Sequence, residues 1–267
     1  MGKFSAACAA QFSLEGKTAL VTGGSRGIGA AIAIGLAEAG ADIILLLRDL
    51  SSTATKSAIE ALGSTCTTVK CDLSNPTEVK AIVKHITTDL SLDIDILVNC
   101  GGIQRRHPAE QFPDSDWDEV LQVNLTTCWT LARDVGAYFL ATKDKRAPDA
   151  RCKIINIASL VSFQGGLTVP AYAAAKHGIL GMTKALSNDW VGKGINVNAV
   201  APGYIATEMN SALIANETRS RQIMERIPQG RWGKPEDFKA PVVFLAGAGS
   251  EYVSGTCVTV DGGWMAR

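Results

Sequence analysis

Long apolar runs are absent from this sequence of 267 residues. Since no stretch of about 18 apolar residues occurs, we predict no transmembrane helix. The apolar stretch in residues 1–12 is too short and interrupted for a secretory signal, so we expect a loose tail there. Charge of one sign is not in excess, because 26 basic side chains balance 26 acidic ones. This balance argues against a nucleic acid or a membrane as partner.

Cysteine and histidine are too scattered to form a recognisable metal site. The seven cysteines include no Cys-x-x-Cys pair, and the three histidines show no metal-ligand spacing, so we expect no metal. Dispersed free thiols are typical of a reducing compartment and favour the cytoplasm, although a weak organelle-targeting role of the tail stays open. No proline-rich linker or repeat interrupts the chain, which predicts a single domain over residues 13–267.

Apolar runs and helical segments alternate along the chain. Continuous apolar runs predict strands at 17–22, 42–47, 66–70, 94–98, 153–158, 195–200 and 257–260. Intervening segments predict helices at 27–39, 51–62, 76–90, 117–140, 172–191 and 236–245. The alternation predicts an α/β Rossmann fold, a doubly wound parallel sheet with helices on both faces. The polar region 206–231 predicts a small substrate-covering lid, called here the helical lobe.

A glycine-rich loop follows the first predicted strand and opens the first helix. Residues 22–29 are Thr-Gly-Gly-Ser-Arg-Gly-Ile-Gly. Glycines at such a place allow a tight turn and close approach of the backbone, and the N–H groups at the helix start can bind a pyrophosphate. The loop predicts a dinucleotide site, with a structural glycine turn as the alternative. The candidate contacts are Gly23, Ser25, Arg26, Gly27, Ile28 and Gly29.

The end of the second strand bears on the choice between NAD(H) and NADP(H). An acid there would bind the ribose 2′-hydroxyl of NAD(H), but the position holds Leu47. Arg48 follows, and together with Arg26 it would favour the 2′-phosphate of NADP(H). Asp49 could instead turn toward the ribose. We therefore expect NADP(H), with NAD(H) as the alternative.

Two further strand ends complete the expected adenosine site. Asp72 and Leu73 end the third strand, where a carboxylate can accept from the adenine amino group. Asn99 and Gly101 end the fourth strand, where small residues let the backbone lie against the adenine ribose.

Tyr172 and Lys176 are four residues apart in a predicted helix and so share one face. An ammonium beside a phenol favours the phenolate and would lower the pKa of Tyr172. Such a tyrosine can exchange a proton with a carbonyl or alcohol oxygen near neutral pH. With Ser159 upstream and the dinucleotide loop, the pair predicts hydride chemistry; a surface helix pair is the alternative.

In this order and spacing, residues 14–267 resemble a short-chain dehydrogenase/reductase. The matching motifs are 22–29, Asn99 to Gly102, Asn124, Ser159, Tyr172, Lys176, Pro202-Gly203 and Asp261-Gly262-Gly263. The family usually has Asn-Asn-Ala-Gly where this chain has Asn99-Cys100-Gly101-Gly102. This departure lies at the floor of the adenosine site and removes no proton-transfer group.

The resemblance implies a role for each matched residue. Tyr172 would be the general acid in reduction and the base in oxidation, and Lys176 would lower its pKa and bind the nicotinamide ribose. Ser159 would position the substrate oxygen, and Asn124 would anchor a water that links Lys176 to solvent. The carboxamide end of the cofactor would contact Pro202, Gly203, Ile205 and Thr207. The family also implies a homotetramer.

Finer matches resemble the branch of 2-deoxy-D-gluconate 3-dehydrogenases and 2-dehydro-3-deoxy-D-gluconate 5-dehydrogenases. They are residues 105–106, 154–159, 162–166, 169–170, 226–228, 230–233 and 261–267. The branch implies a sugar-acid or polyol-like substrate, whose carboxylate Arg105 or Arg106 could bind and whose hydroxyls Gln164 could meet. It usually uses NAD(H), contrary to the two arginines near the ribose. A general NADPH-dependent carbonyl reductase and a catalytically silent NADP-binding scaffold remain the alternatives.

Overall fold

A computed structural model describes residues 5–267 of the chain. Within these residues, seven strands form one parallel sheet in the order β3-β2-β1-β4-β5-β6-β7. The strands are β1 (Thr18–Thr22), β2 (Asp42–Leu47), β3 (Cys66–Lys70), β4 (Ile96–Asn99), β5 (Cys152–Ile157), β6 (Ile195–Pro202) and β7 (Cys257–Val260). The doubly wound α/β fold predicted from the sequence is confirmed.

Helices connect the strands and cover both faces of the sheet. They are α1 (Ala6–Ala10), α2 (Gly27–Glu38), α3 (Ala54–Glu60), α4 (Pro76–Lys84), α5 (Asp114–Leu121), α6 (Thr127–Thr142), α7 (Pro170–Trp190), α8 (Ser211–Ala215), α9 (Glu217–Arg226) and α10 (Lys239–Ala246). Neighbouring residues of β1 face opposite layers: Val21 packs in the cluster that includes α2 and α10, and Leu20 packs with α4 and α6. Both faces are therefore buried, as the continuous apolar runs predicted.

The predicted helix at 117–140 is wrong in one respect, since a π-helical turn divides it. Helix α5 ends at Leu121, a π turn covers Gln122–Thr126, and α6 begins at Thr127. The turn contains Asn124, whose side chain binds the backbone of Ile103 rather than facing solvent. A π turn widens the helix locally and often marks a functional position.

Other helix bounds also differ from the prediction. Helix α4 ends at Lys84 and a π turn follows over His85–Asp89, while α3 begins at Ala54 rather than at 51. The segment predicted as a helix at 236–245 begins with a 3-10 turn, Pro235–Phe238, before α10.

The expected loose tail contains the short helix α1. The Oγ of Ser5 accepts from the N–H of Cys8 at the start of α1, and the N–H of Gly249 donates to the carbonyl oxygen of Gln11 at 2.9 Å. Residues 5–12 are thus ordered in part, whereas residues 1–4 lie outside the described residues. Within residues 5–267, no helix is long and apolar enough to cross a membrane.

The topology places two loops side by side at the carboxyl edge of the sheet. Strands β1 and β4 are neighbours, and the chain leaves them toward opposite faces. A crevice opens at such a switch point. The glycine-rich loop after β1 and the segment 99–102 after β4 border this crevice.

Candidate active site

The glycine-rich loop after β1 needs its glycines for conformation and for space. Gly23 and Gly27 have φ of +66° and +57°, where a side chain is strained. A Cβ on Gly23 would lie 2.7 Å from the Cα of Gly101, and one on Gly29 would collide with the carbonyl oxygen of Gly23. The turn thus packs directly against the segment after β4.

Thr22 joins these two loops, and sequence reasoning did not give it this role. Its Oγ1 accepts hydrogen bonds from the N–H groups of Cys100 and Gly101, both at 2.9 Å, and donates to the carbonyl oxygen of Val98 at 3.4 Å. Thr22 is 2% exposed, so these bonds are shielded from water. The sequence pattern that could have indicated this role is the position of Thr22 directly before the glycines of the loop.

The start of α2 is open to a phosphate. Within residues 5–267 no side chain caps this helix, and Arg26 at the cap position is extended. The first N–H groups of a helix have no partner inside it and carry partial positive charge. The arrangement fits the pyrophosphate of a dinucleotide, because no side-chain oxygen of the described residues accepts from these N–H groups and they are available to phosphate oxygens.

The two arginines predicted near the ribose have different contacts. Arg26 Nη1 forms an ion pair with Glu208 Oε2 at 2.7 Å, and both side chains are largely exposed. Arg48 is exposed, and in the part of the chain that the structure describes it forms no ion pair. The carboxylate of Asp49 binds the N–H and the hydroxyl of Ser51, and these bonds lower the pKa of Asp49.

The expected adenosine side is built from β3 and β4. The carboxylate of Asp72 accepts from the N–H and the hydroxyl of Ser74, which lowers the pKa of Asp72. A Cβ on Gly101 would collide with Cδ1 of Leu73, so the two strand ends touch. Asn99 is 2% exposed, and its amide donates to Asn156 Oδ1 at 2.9 Å. Its side chain therefore ties β4 to β5 inside the sheet.

Tyr172, Lys176 and Ser159 come from α7 and the end of β5. Pro170 at the first turn starts α7 two residues before Tyr172, a position where its missing N–H leaves no bond unmade. Lys176 Nζ lies 5.6 Å from the centroid of the Tyr172 ring and donates to the carbonyl oxygen of Ile157 at 2.6 Å. Lys176 is 5% exposed, so a buried ammonium stands beside a half-buried phenol.

Ser159 is held by its own turn. It caps the 3-10 turn Leu160–Ser162: its Oγ accepts from the N–H of Val161 at 3.4 Å, and its N–H donates to Ser162 Oγ at 3.2 Å. Ser162 is buried, and its Oγ accepts the bond that closes the turn.

Asn124 is fully buried at the π turn. Its Oδ1 accepts from the N–H of Ile103 at 2.9 Å, and its Nδ2 donates to the carbonyl oxygen of Ile103 at 2.8 Å. Both ends of the amide are therefore used to fix the loop after β4. The water predicted at Asn124 stays a prediction.

Two thiols lie near Lys176, the half-buried Cys100 and the buried Cys128. Burial raises the pKa of Cys100 to about 12 and the pKa of Cys128 to about 11, although the charge of Lys176 opposes both shifts. Both thiols are therefore neutral near physiological pH. Cys100, at the departure from the family motif, lies under the glycine-rich loop, where a Cβ on Gly29 would be 3.4 Å from its Sγ.

The two arginines that the sequence predicts at the substrate, Arg105 and Arg106, have different partners. Arg105 Nη2 pairs with Glu119 Oε2 at 2.7 Å, and its Nε lies 3.9 Å from Asp116 Oδ1. Arg106 is exposed and donates to the side-chain oxygen of Gln104 at 2.7 Å. The acidic partners of Arg105 were missed, since a loop and part of α5 separate them from it in sequence.

His107 connects this loop to the loop that precedes α7. Its ring Nε2 lies 2.7 Å from Asp116 Oδ2, and its backbone N–H donates to the carbonyl oxygen of Thr168 at 3.1 Å. Gln164 of that second loop donates to Met265 Sδ at 3.3 Å. Two connected loops and residues 261–267 therefore lie together at the side where the sequence predicts the substrate.

The segment after β6 borders the same crevice. The N–H of Gly203 donates to the carbonyl oxygen of Val260, and Ile205 forms a bridge with Gly233. Thr207 approaches the glycine-rich loop, since a Cβ on Gly27 would lie 3.5 Å from its Cγ2. Pro202 ends β6 and is buried. The structure therefore brings these four residues to one strand end. Within residues 5–267, no group of histidine, cysteine and acidic side chains could hold a metal ion.

An uncapped helix start that suits a phosphate and a tyrosine–lysine pair that suits proton transfer lie at one edge of the sheet, an arrangement that fits a dinucleotide-dependent oxidoreductase. The chain belongs to the short-chain dehydrogenase/reductase family. A family model described as enoyl-(acyl carrier protein) reductase matches residues 23–265. The family predicted from the motifs is thereby confirmed.

Several relatives of this chain are named as enzymes that act on sugar acids. The 2-dehydro-3-deoxy-D-gluconate 5-dehydrogenase of Pseudoalteromonas atlantica is 49% identical over 96% of this chain and 99% of its own length. A gluconate 5-dehydrogenase of Burkholderia cenocepacia, solved with NADP and tartrate, has a TM-score of 0.90 and 36% identity, and covers 97% of this chain and 99% of its own. A protein of Agrobacterium tumefaciens solved with bound NADP has a TM-score of 0.87 and 45% identity, over 96% of this chain and 99% of its own.

Proposed function

We propose that the protein transfers a hydride between NADP(H) and a secondary alcohol or ketone of a gluconate-type sugar acid. The observation that carries the proposal is the buried Lys176 beside Tyr172. Lys176 is bound to the carbonyl oxygen of Ile157 at the end of β5, two residues before Ser159, and the uncapped start of α2 lies at the same carboxyl edge of the sheet. Relatives named for sugar-acid oxidation or reduction support the substrate class, since they match nearly the whole chain.

Each side chain has a defined task in this proposal. The phenol of Tyr172 gives its proton to the substrate oxygen in reduction and takes it back in oxidation. Lys176 stabilises the negative charge that develops on the phenol, and Ser159 donates a hydrogen bond to the same substrate oxygen. Asn124 holds the loop after β4 through Ile103 and so shapes the site. When bound, the nicotinamide supplies or accepts the hydride.

The preference for NADP(H) follows from the charges near the ribose. Arg48 is exposed and available, whereas Asp49 is turned to Ser51 and does not compete for it. A guanidinium suits a 2′-phosphate because it offers two parallel donors. The bound NADP in two structural relatives supports the same preference.

For the sugar-acid carboxylate, Arg106 is the better candidate of the two neighbouring arginines. Arg105 already pairs with Glu119 and approaches Asp116, so its charge is balanced, while Arg106 contacts an uncharged amide. Gln164 would meet a hydroxyl once its contact with Met265 is exchanged. The helical lobe (residues 206–231), with α8 and α9, would cover the bound substrate.

A substrate panel with a single matched variant tests the reaction. Oxidation of gluconate-type acids with NADP⁺, and reduction of the keto acids with NADPH, should be faster than turnover of uncharged polyols and simple ketones. Tyr172→Phe removes the proton donor and should lower kcat about 10²–10⁴-fold. Binding of NADPH, followed by protein fluorescence, should be unchanged.

Three outcomes would contradict the proposal. Activity of Tyr172→Phe within about tenfold of wild type would exclude the assigned proton transfer. Faster turnover of simple ketones than of keto acids would replace the sugar-acid proposal by a general carbonyl reductase. No turnover of any alcohol or ketone would leave a nucleotide-binding scaffold.

We also propose a cytoplasmic homotetramer. Trp117 on α5 and Trp129 on α6 are 37% and 41% exposed, which suits burial against a second copy. The seven free cysteines support a reducing compartment. Sedimentation velocity should give a tetramer for wild type and smaller species for Trp129→Glu, whereas a monomeric wild type would exclude this assembly.

A further inference from the structure

Helix α9 of the helical lobe ends against a guanidinium from the Asp-Gly-Gly segment (residues 261–267). Arg267 Nη2 donates to the carbonyl oxygen of Glu225 at 2.7 Å, and its Nε donates to that of Arg226 at 3.2 Å. The last carbonyl groups of a helix have no partner inside it and carry partial negative charge. Arg267 therefore caps α9 from outside the helix.

A second contact joins the same two elements. The guanidinium of Arg226, the last residue of α9, lies 4.0 Å from the ring centroid of Trp264. The segment is itself fixed, because the carboxylate of Asp261 accepts from the N–H groups of Gly263 at 2.9 Å and Met265 at 2.8 Å. The indole of Trp264 is thus held in place where it contacts the end of α9.

The same indole connects the helical lobe to the turn that bears Ser159. Trp264 is 6% exposed and packs in one apolar cluster with Leu160, Ile223 and Ile227. Leu160 directly follows Ser159, and the two isoleucines lie in α9 and just after it. The position of α9 relative to Ser159 therefore depends on the Asp-Gly-Gly segment.

We propose that Arg267 is a positioning residue that holds the helical lobe closed over the substrate. The inference rests on the proposed function, since it places the substrate between the helical lobe and Ser159. Arg267 acts through α9 rather than on the substrate itself. Without the cap, more molecules would have an open lobe, and the apparent affinity for substrate falls with the closed fraction. The glycine-rich loop would keep its affinity for NADPH.

Steady-state kinetics of Arg267→Ala with the best sugar acid of the panel test this role. We expect KM to rise about two- to fivefold, the range for a cation at a helix end, with kcat and NADPH binding unchanged. Arg267→Lys should restore part of the effect, because an ammonium can donate to the same carbonyls. Arg221→Ala is the matched control: it removes an exposed cation of α9 whose acid partner, Glu225, is 3.9 Å away.

Hydrogen exchange measures the helical lobe without turnover. Peptides covering residues 211–227 should exchange faster in Arg267→Ala than in wild type and in Arg221→Ala, at the same melting temperature. Unchanged exchange, or a KM rise no larger than that of the control, would overturn the proposal. Faster exchange in an enzyme that turns over no sugar acid would support the cap and overturn the proposed function instead.

Discussion

Among single residues, Arg48 and Arg26 differ in whether a neighbouring carboxylate already pairs with the guanidinium. Arg26 is paired with Glu208, while Arg48 is exposed and available for the 2′-phosphate that we propose it binds. Arg48→Asp should weaken NADPH binding about 10- to 100-fold, because a charge-assisted hydrogen bond is lost and a repulsive charge takes its place. Titration of protein fluorescence with NADPH and NADH measures this directly.

NADH serves as the internal control for that variant, since it lacks the 2′-phosphate. Its affinity should stay constant or improve when Arg48 is replaced. Equal loss for both nucleotides would mean that the substitution damages the loop, and no loss for NADPH would place the 2′-phosphate elsewhere.

The cysteines give a second prediction for single residues. Burial raises the pKa of six thiols to about 11 or about 12: Cys66, Cys71, Cys100, Cys128, Cys152 and Cys257. Alkylation needs the thiolate, so iodoacetamide at pH 8 should label the exposed Cys8 alone in the folded protein. Mass spectrometry of tryptic peptides reports the labelled sites; labelling of Cys100 without unfolding would contradict this account.

The closeness of Tyr172 to Lys176 could be predicted from the sequence, whereas the charged partners of Arg105 could not. Tyr172 and Lys176 belong to one helix, so their spacing alone places them together. The ion pair of Arg105 with Glu119 depends on where α5 lies relative to the loop after β4, which no local pattern specifies. The contact of Arg26 with Glu208 depends likewise on the helical lobe.

At the scale of elements, strands were easier to predict than helices. Each strand is a continuous apolar run with clear ends, and the structure changes its bounds by no more than two residues. The π turn at Gln122–Thr126 was not predicted, because the apolar pattern continues across it from α5 into α6. Asn124 in this turn makes two hydrogen bonds with Ile103, a tertiary contact that no local pattern specifies.

The contact between the turn after β1 and the first residues of α2 yields a prediction for these elements. Gly29→Ala would drive its Cβ into the carbonyl oxygen of Gly23, and backbone cannot move aside as a side-chain end can. We expect a loss of about 1–3 kcal/mol in the free energy of unfolding, together with weaker NADPH binding. Urea denaturation and fluorescence titration measure the two effects.

Gly192→Ala is the matched control for this substitution. Nothing lies within 4 Å of the added Cβ at that position, and its φ is not positive. Its stability should stay within about 0.5 kcal/mol of wild type. Equal behaviour of the two variants would show that the close approach at Gly29 is unimportant.

For the whole molecule, a buried lysine far from the active site shapes the dependence of stability on pH. Lys153 lies near the start of β5, is 5% exposed, and its Nζ donates to Ser250 Oγ at 3.1 Å. Burial lowers the pKa of Lys153 from 10.5 to about 8. Below pH 8 the folded protein therefore bears the unfavourable free energy of a buried cation. This penalty falls as pH rises, and it is gone above the unfolded pKa of 10.5.

Lys153→Met should remove that penalty. At pH 7 we expect the variant to be more stable than wild type by roughly 1–3 kcal/mol. The difference should shrink between pH 8 and pH 10.5, because wild-type Lys153 loses its proton in the folded state there. Urea denaturation at several pH values measures the difference, with Lys80→Met on the exposed side of α4 as control. A difference that does not depend on pH would contradict a buried ammonium.

The hydroxyl of Thr22 has a practical consequence for anyone who wishes to transplant this nucleotide site into another scaffold. One oxygen atom serves three backbone groups from β4 and the segment after it. A graft of the glycine-rich loop alone would therefore arrive without the partners that fix its distance from Gly101. The smallest segment that could be transplanted therefore includes the ends of both β1 and β4, with the loops that follow them.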